Sequence, residues 1–167
     1  MSQTAQSDNA FWRFSLAVYA AEGVAAECLD LQARHGIDVN LLLFVAWLGA
    51  SRRRIMSPPD LESARSRVRH WHDEAVRPLR SVRVALKSMD EPGAQELRTH
   101  VKALELEAER IEQGALYALA CELWPDTGAD DPRLAARANV TTFLRPHGVS
   151  EPGTAGPRLI EAAVHNS

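Results

Sequence analysis

Two histidines and two acidic residues lie close together at positions 70 to 74 and form the first candidate for a metal site. In a helix, side chains two residues apart point about 200° apart, so His70 and His72 cannot bind the same ion. His70 shares a helix face with Asp73 or Glu74, but two ligands do not make a site. We therefore expect no metal site and no cofactor, and we expect His72 to pack beside Leu79.

The motifs of nucleophilic catalysis and of phosphate binding are not found in this sequence. There is no G-x-S-x-G elbow, no Walker pattern and no G-x-G-x-x-G segment after a strand. These absences argue against the common NTPases and dinucleotide enzymes. They leave open an unfamiliar helical enzyme, although we favour a protein without catalytic activity.

Glu122 is the candidate for a buried carboxylate, because it lies on an apolar helix stripe between Leu119 and Leu123. Carboxylates are seldom buried without a partner, so this residue has two interpretations. It is either an acid or base with a raised pKa in a pocket, or a structural residue that pairs with an arginine such as Arg13 or Arg137 or lies near the open end of the bundle. We favour the structural interpretation.

Asp38 and Asn40 open the apolar segment DVNLLLFVAWLG, which spans residues 38 to 49. Asp38 is a typical helix cap, because its carboxylate can accept the free N–H groups of the first turn. Asn40 lies in that turn, where it either satisfies backbone groups or contacts a ligand. With His72 and Glu122, these residues would supply the polar groups of a pocket between the third, fourth and fifth helices.

A basic strip is predicted along the fourth helix, where five cationic side chains fall within about 60° over ~33 Å. Such a strip is suited to an acidic protein partner, nucleic-acid phosphates or anionic lipid. Acidic residues on the next helix could equally neutralise it. Trp71 is the one aromatic residue of this helix and is expected to face the core, so nucleic acid is possible but not favoured. The strip comprises Arg65, Arg69, Arg80, Arg83 and Lys87.

Helical periodicity dominates the chain, and no segment has the alternation of a strand. We predict an all-α fold, a single-domain helical bundle of about six helices with a long antiparallel pair. The fourth helix is expected to be continuous but kinked near residues 74–78, because Pro78 removes a backbone hydrogen bond. The helices are predicted at 10–20, 24–36, 38–49 with Gly49 as the end, 58–89, 92–124 and 132–144.

The fourth and fifth helices should pack through two apolar stripes, with facing residue numbers that sum to about 182. Residues 52–90 carry ten basic and five acidic side chains, whereas residues 91–131 carry three and ten. This asymmetry predicts cross-helix ion pairs, with Arg77 near Glu105 and Arg69 near Glu112. The stripes comprise Leu61, Val68, Trp71, Ala75, Leu79, Val82, Leu86 and Met89 on one helix, and Leu97, Val101, Leu104, Ala108, Ile111, Ala115 and Leu119 on the other.

Length and composition are those of one soluble domain of 167 residues with a net charge of −3. The longest charge-free window, 39–51, has 13 residues and is shorter than the roughly 20 that a membrane span needs. With no signal peptide at its start, we place the protein in the cytoplasm.

Cys28 and Cys121 are predicted to be reduced core thiols. We expect a disordered segment at 1–9, the bundle at 10–145 and a loose Pro/Gly-rich tail at 146–167 with one helical turn near 158–164.

Four segments resemble a family of short proteobacterial proteins that is catalogued as a conserved domain of unknown function. They are FWRFSLAVYA, CLDLQARHGIDVNLLLFVAWLG, VRPLRSVRVALK and ELRTHVKALELEAERIEQGALYALA. The resemblance covers residues 11 to 123 and is most specific over 28–43. It implies a bacterial helical protein, and it brings no activity, cofactor or site residue.

Our first functional interpretation is therefore a protein-binding or adaptor module that contacts another protein through the basic strip. The alternative is a small-molecule-binding protein or enzyme that uses the pocket described above. The third is an RNA- or ribosome-associated protein. The sequence gives no oligomeric state.

Overall fold

The computed structural model describes residues 8–125, 127–149, 151 and 155–167, and all regular structure in these ranges is helical. The prediction of an all-α fold is confirmed, with seven helices counted in the described ranges instead of about six. The segment predicted to be disordered, 1–9, lies outside the described residues except for Asp8 and Asn9.

The first three helices begin and end at local signals. Helix α1 spans Ala10–Ala20 and begins at Asn9, whose Oδ1 accepts a hydrogen bond from Trp12 N at 2.9 Å. Helix α2 spans Val24–His35, and Gly36 ends it with a φ of 63°, a left-handed conformation that favours glycine. Helix α3 spans Val39–Ala50 and is capped by Asp38 as predicted.

Helix α3 is the centre of the fold, and every one of its residues is buried. Gly49 does not end the helix, so this prediction is wrong. A Cβ atom at Gly49 would lie 2.3 Å from the backbone nitrogen of Ala136, so the glycine permits close contact with another helix. A glycine at the end of an apolar segment fits either a helix end or a close contact with another helix. The sequence alone does not distinguish the two, because it does not show which helix packs there.

Helix α4 is continuous from residue 58 to 88, as predicted, but its irregularity is a π turn. An α-helical part, Pro58–Trp71, leads into the π turn His72–Val76, a second α-helical part, Arg77–Ala85, and a final 3-10 turn, Leu86–Ser88. Pro78 lacks an N–H, and its ring would clash with the carbonyl of Glu74 in a regular α-helix. The wider turn just before Pro78 relieves this clash.

Helix α5, Ala94–Leu123, packs against α4 as the predicted antiparallel partner. The predicted stripes are only partly correct. The positions buried as predicted are Leu61, Val68 and Leu86 on α4 and Val101, Ala108 and Leu119 on α5, whereas the other predicted positions are partly or largely exposed. Leu97, Leu104 and Ile111 are about half exposed, and Trp71 is 39% exposed with its Nε1 donating to the Ala108 carbonyl. The buried positions of α5 are Ala94, Val101, Glu105, Ala108, Glu112, Gln113, Leu116, Leu119 and Ala120.

Helices α6 and α7 complete the body. Helix α6, Pro132–Leu144, has the predicted bounds, packs along α3 and continues into the 3-10 turn Arg145–His147. Helix α7, Pro157–His165, buries Leu159, Ile160 and Ala163 against the core. The helical turn predicted near residues 158–164 is a helix of nine residues in the structure, because its apolar side chains have a surface to cover.

None of the helices in the described ranges has both the length and the apolar character that a membrane crossing requires.

A buried Asp–His–Glu cluster beside a basic cavity

Asp38, His72 and Glu112 meet in the interior of the fold, from three different helices. Nδ1 of His72 lies 3.2 Å from Oδ2 of Asp38 and 3.1 Å from Oε1 of Glu112. Asp38 stands at the start of α3, His72 begins the π turn of α4, and Glu112 lies in the middle of α5. One imidazole edge is thus shared by two carboxylates.

Asp38 holds its place in the cluster because it also caps α3. Its Oδ1 accepts hydrogen bonds from the backbone N–H groups of Asn40 at 2.8 Å and Leu41 at 3.4 Å. These bonds fix the carboxylate and leave Oδ2 facing His72. The cap was predicted from the sequence, but the second contact was not.

Glu112 is fully buried and is held by a chain of amides. Asn40 Nδ2 donates to Oε2 of Glu112 over 2.7 Å, and Gln113 Nε2 donates to Oδ1 of Asn40 over 2.8 Å. Asn40 is therefore neither a cap nor a residue of the basic cavity described below. It is a structural bridge that orients the buried carboxylate.

Two groups of the cluster, Asp38 and His72, bind protons more tightly than they would in water. Burial, and then the negative charge of Glu112, raise the pKa of Asp38 to about 7. Burial alone would lower the pKa of His72, but the hydrogen bond to Glu112 and the charges of both carboxylates raise it above its usual value. The site therefore changes its protonation near neutral pH.

A cavity of about 490 Å³ opens beside this cluster, between the start of α3, helix α4 and the end of α6. Asp38 and His72 lie on its surface, together with a second histidine, His147. Apolar side chains supply part of the lining, namely Ile37, Leu41, Val68 and Phe143. Four arginines supply positive charge, namely Arg65, Arg69, Arg77 and Arg80.

Two of these arginines are already neutralised. Arg77 pairs with Asp73 on its own helix at 3.0 Å, and not with Glu105 as predicted. Arg80 donates to Glu105 at 3.0 Å and to Glu109 at 2.7 Å. A bound anion would have to compete with these carboxylates.

The other two arginines have no acidic partner within the described ranges. Arg65 donates to Nε2 of His147 at 3.0 Å and lies 5.7 Å from the ring centre of Phe143. Burial and the charge of Arg65 lower the pKa of His147, so this histidine is a neutral acceptor. The side chain of Arg69 is exposed and has no hydrogen bond or ion pair to any described residue, so it does not pair with Glu112 as predicted.

The predicted basic strip is not one free surface. Arg83 joins Arg80 on Glu105, which is 5% exposed, so both guanidinium groups belong to a network between α4 and α5. The pKa of each of these arginines is raised, although burial opposes the shift at Arg80. Lys87 is exposed at the far end of the helix. Acidic residues of α5 face the strip and neutralise part of its charge. A role in RNA binding stays a prediction.

Glu122 is not the buried carboxylate of α5. Its side chain is 62% exposed and accepts a hydrogen bond from Arg67 at 3.0 Å, outside the cavity. The predicted type of interaction is correct, but the partner is another arginine. The sequence does contain a signal for the buried carboxylates. One face of the helix is formed by Val101, Glu105, Ala108, Glu112, Leu116 and Leu119, so two glutamates share the face of four apolar residues.

A second cavity, of about 420 Å³, lies between α1, α2, α4 and α5. Asn40 and Gln113 line it, as do Ser15 and Tyr19 of α1. Two of its polar atoms, Ser15 Oγ and Gln113 Oε1, are buried without a hydrogen-bond partner among the described residues.

The two cysteines lie outside both cavities. Cys28 is buried as predicted, whereas Cys121 is exposed, because its side of α5 does not face the core.

The fold and the cluster define an all-α protein with a titratable site between its central helix and its long helix pair. The chain belongs to a family described as "Protein of unknown function (DUF2390)", whose model matches residues 10–116. This confirms the predicted resemblance to a family of unknown function. Asp38, His72 and Glu112 all lie in the matched part, whereas His147 lies outside it. No curated protein and no solved structure matches the chain.

Proposed function

We propose that this protein binds a small anionic molecule in the cavity beside Asp38 and His72. The observation that carries the proposal is the pair Arg65 and Arg69, two cationic side chains on the cavity surface without an acidic partner in the described ranges. A volume of about 490 Å³ falls within the roughly 300–1,000 Å³ of small-molecule sites.

The arginines favour a carboxylate or phosphate group on the ligand. A guanidinium group presents paired N–H donors that match either group, and charge-assisted hydrogen bonds are about twice as strong as neutral ones. Arg65 would exchange a neutral imidazole for an anion, so its present contact is a weak competitor. Phe143 and Val68 would cover an apolar part of the ligand.

The cluster adds a chemical capacity to this binding site. His72 and Asp38 both line the cavity, and both have raised pKa values, which for Asp38 is about 7. A group that titrates near the working pH is suited to accept or donate a proton in a bound molecule. A proton-transfer enzyme is therefore the catalytic form of the same proposal.

The test is calorimetric titration of chelator-treated protein with inorganic phosphate and with malonate, a small dicarboxylate. We expect saturable binding of at least one of them, weakened about tenfold or more by Arg65→Gln or Arg69→Gln. The matched control is Arg67→Gln, which removes an arginine of the same helix that pairs with Glu122 outside the cavity. Binding that is absent for both anions, or unchanged in both cavity variants, would contradict the proposal.

A protein-binding role is the second candidate, and the exposed apolar side chains of α5 favour it. Leu97, Leu104 and Ile111 recur every seven residues along one side of the helix and are each about half exposed. This apolar row is a better candidate contact surface for a protein partner than Arg80 and Arg83, because those two side chains are paired with Glu105. Affinity purification from a native host should recover a partner that Leu104→Glu abolishes and Leu134→Glu retains, since Leu134 is exposed on α6.

A further inference from the structure

The geometry points to a binding site for a divalent transition-metal cation, such as Mn²⁺ or Zn²⁺, formed by Asp38, His72 and Glu112. The candidate ligand atoms of these side chains all lie within 4.8 Å of one another. This inference goes beyond the proposed anion site and does not require it. No metal site was expected from the sequence, because Asp38, His72 and Glu112 are far apart in the chain.

The distances are those of ligands around one ion. His72 Nδ1 is 3.2 Å from Asp38 Oδ2 and 3.1 Å from Glu112 Oε1. Atoms about 2.1 Å from an octahedral ion lie roughly 3.0 Å from one another. A cation can therefore replace the shared proton with small movements of the three side chains.

The second oxygen of each carboxylate is already held by an N–H donor. Backbone N–H groups hold Oδ1 of Asp38, and the Asn40 amide holds Oε2 of Glu112. Outer hydrogen bonds of this kind orient ligands in metal sites. They leave Oδ2 and Oε1 facing the imidazole, on the side where the ion would lie.

The charge of the cluster also favours a cation. With both carboxylates ionised and the imidazole protonated, the cluster carries a net charge of −1, whereas a divalent ion with a neutral imidazole gives zero. Arg80 is near enough to influence His72, but its guanidinium group is occupied by Glu105 and Glu109. Uncompensated charge is costly in the interior, so a cation should bind here and stabilise the fold.

The ligand set indicates the class of ion and its accessibility. Two carboxylate oxygens and one imidazole nitrogen suit Mn²⁺, Fe²⁺ or Zn²⁺ better than Ca²⁺, which prefers oxygen ligands alone. Asp38 and His72 line the basic cavity, so the remaining coordination positions would face water or a bound anion. Three protein ligands with open positions are typical of catalytic sites.

The experiment is calorimetric titration of chelator-treated protein with MnCl₂, ZnCl₂ and CaCl₂, without added phosphate or malonate. We expect one Mn²⁺ or Zn²⁺ site per chain and weaker binding of Ca²⁺. Asp38→Asn, His72→Ala and Glu112→Gln should each weaken the binding about tenfold or more. Asparagine can still cap α3 and glutamine can still accept from Asn40, so two of these variants keep the local fold.

The matched controls are His147→Ala and Glu122→Gln, which remove a second cavity histidine and a carboxylate of the same helix, and both should bind as wild type. Pulsed electron paramagnetic resonance of Mn²⁺-loaded wild-type protein should show one coordinated imidazole nitrogen, and His147→Ala should keep that signal. The inference is overturned by no Mn²⁺ or Zn²⁺ binding, by binding within twofold of wild type in His72→Ala, or by no nitrogen signal. Since the anion titration is done without metal, each proposal can fail alone.

Discussion

Asn40 Nδ2 donates to Oε2 of Glu112 over 2.7 Å, and this bond joins the first turn of the central helix to the middle of α5. Both side chains are buried, and Gln113 Nε2 donates a further hydrogen bond to the side-chain oxygen Oδ1 of Asn40. The amide therefore satisfies a buried charge and a buried donor at the same time.

Replacing Asn40 by alanine should destabilise the protein by about 2–4 kcal/mol, because it leaves Glu112 and Gln113 without these bonds. The measurement is urea unfolding of wild type and variant at pH 7. Asn166→Ala is the matched control, since the amide of Asn166 reaches only the Ala162 carbonyl at the exposed end of α7. It should change stability by less than about 0.5 kcal/mol. Equal losses in the two variants would contradict the bridging role of Asn40.

Glu105 should make the fold sensitive to acid. Burial raises the pKa of Glu105, but hydrogen bonds from Arg83 and Arg80 lower it by more, so the net shift is downward. A lowered folded-state pKa means that this contribution to stability is present above the unfolded value, about 4.3, and is lost as pH falls through the folded value.

Glu105→Gln should therefore be less stable than wild type at pH 7 by about 2 kcal/mol, with a smaller difference at pH 3. The measurement is the free energy of unfolding at several pH values between 3 and 7. Glu96→Gln on the same helix is the control, because Glu96 is exposed and has no ion pair to a described residue. A difference that stays constant over this range would show that the charge of Glu105 does not matter.

The sequence predicted the helices well wherever their boundaries depend on neighbouring residues. Asn9, Asp38 and Pro132 fix helix starts through local hydrogen bonds or a fixed φ, so α1, α3 and α6 begin at or within a residue of their predicted positions. The site was missed because Asp38, His72 and Glu112 are 34 and 40 residues apart, and only tertiary packing brings them together.

The buried stripes were misplaced for a related reason. Counting apolar residues alone put Leu104 and Ile111 at the centre of the α5 interface, although Glu105 and Glu112 occupy it. Charged residues are seldom buried, so a sequence pattern assigns them to the solvent side. Their partners on α3 and α4 reverse that assignment, and those partners cannot be identified before the register of the helices is known.

The two thiols should differ in reactivity. Burial, and then the charge of Glu27, raise the pKa of Cys28 to about 12, and its side chain is fully buried. Cys121 is exposed on α5. Because the thiolate is the reactive form, a disulfide reagent at pH 8 should label one thiol per native chain and two per unfolded chain. Cys121→Ser should abolish the native labelling and Cys28→Ser should retain it, whereas rapid labelling of both thiols in the native protein would contradict the burial of Cys28.

Gly49 provides a test of how closely α3 and α6 pack. A Cβ atom there would lie 2.3 Å from Ala136 N and 2.4 Å from its Cα, and these are backbone atoms that cannot rotate away. Gly49→Ala should therefore destabilise the protein by about 1–3 kcal/mol or more, although alanine is the better helix former. Thermal unfolding measures the loss, and Gly93→Ala is the control, since a Cβ atom at Gly93 meets no other atom and only its φ of 85° opposes the change. A loss at Gly49→Ala that is no larger than the loss at Gly93→Ala would contradict the close contact between α3 and α6.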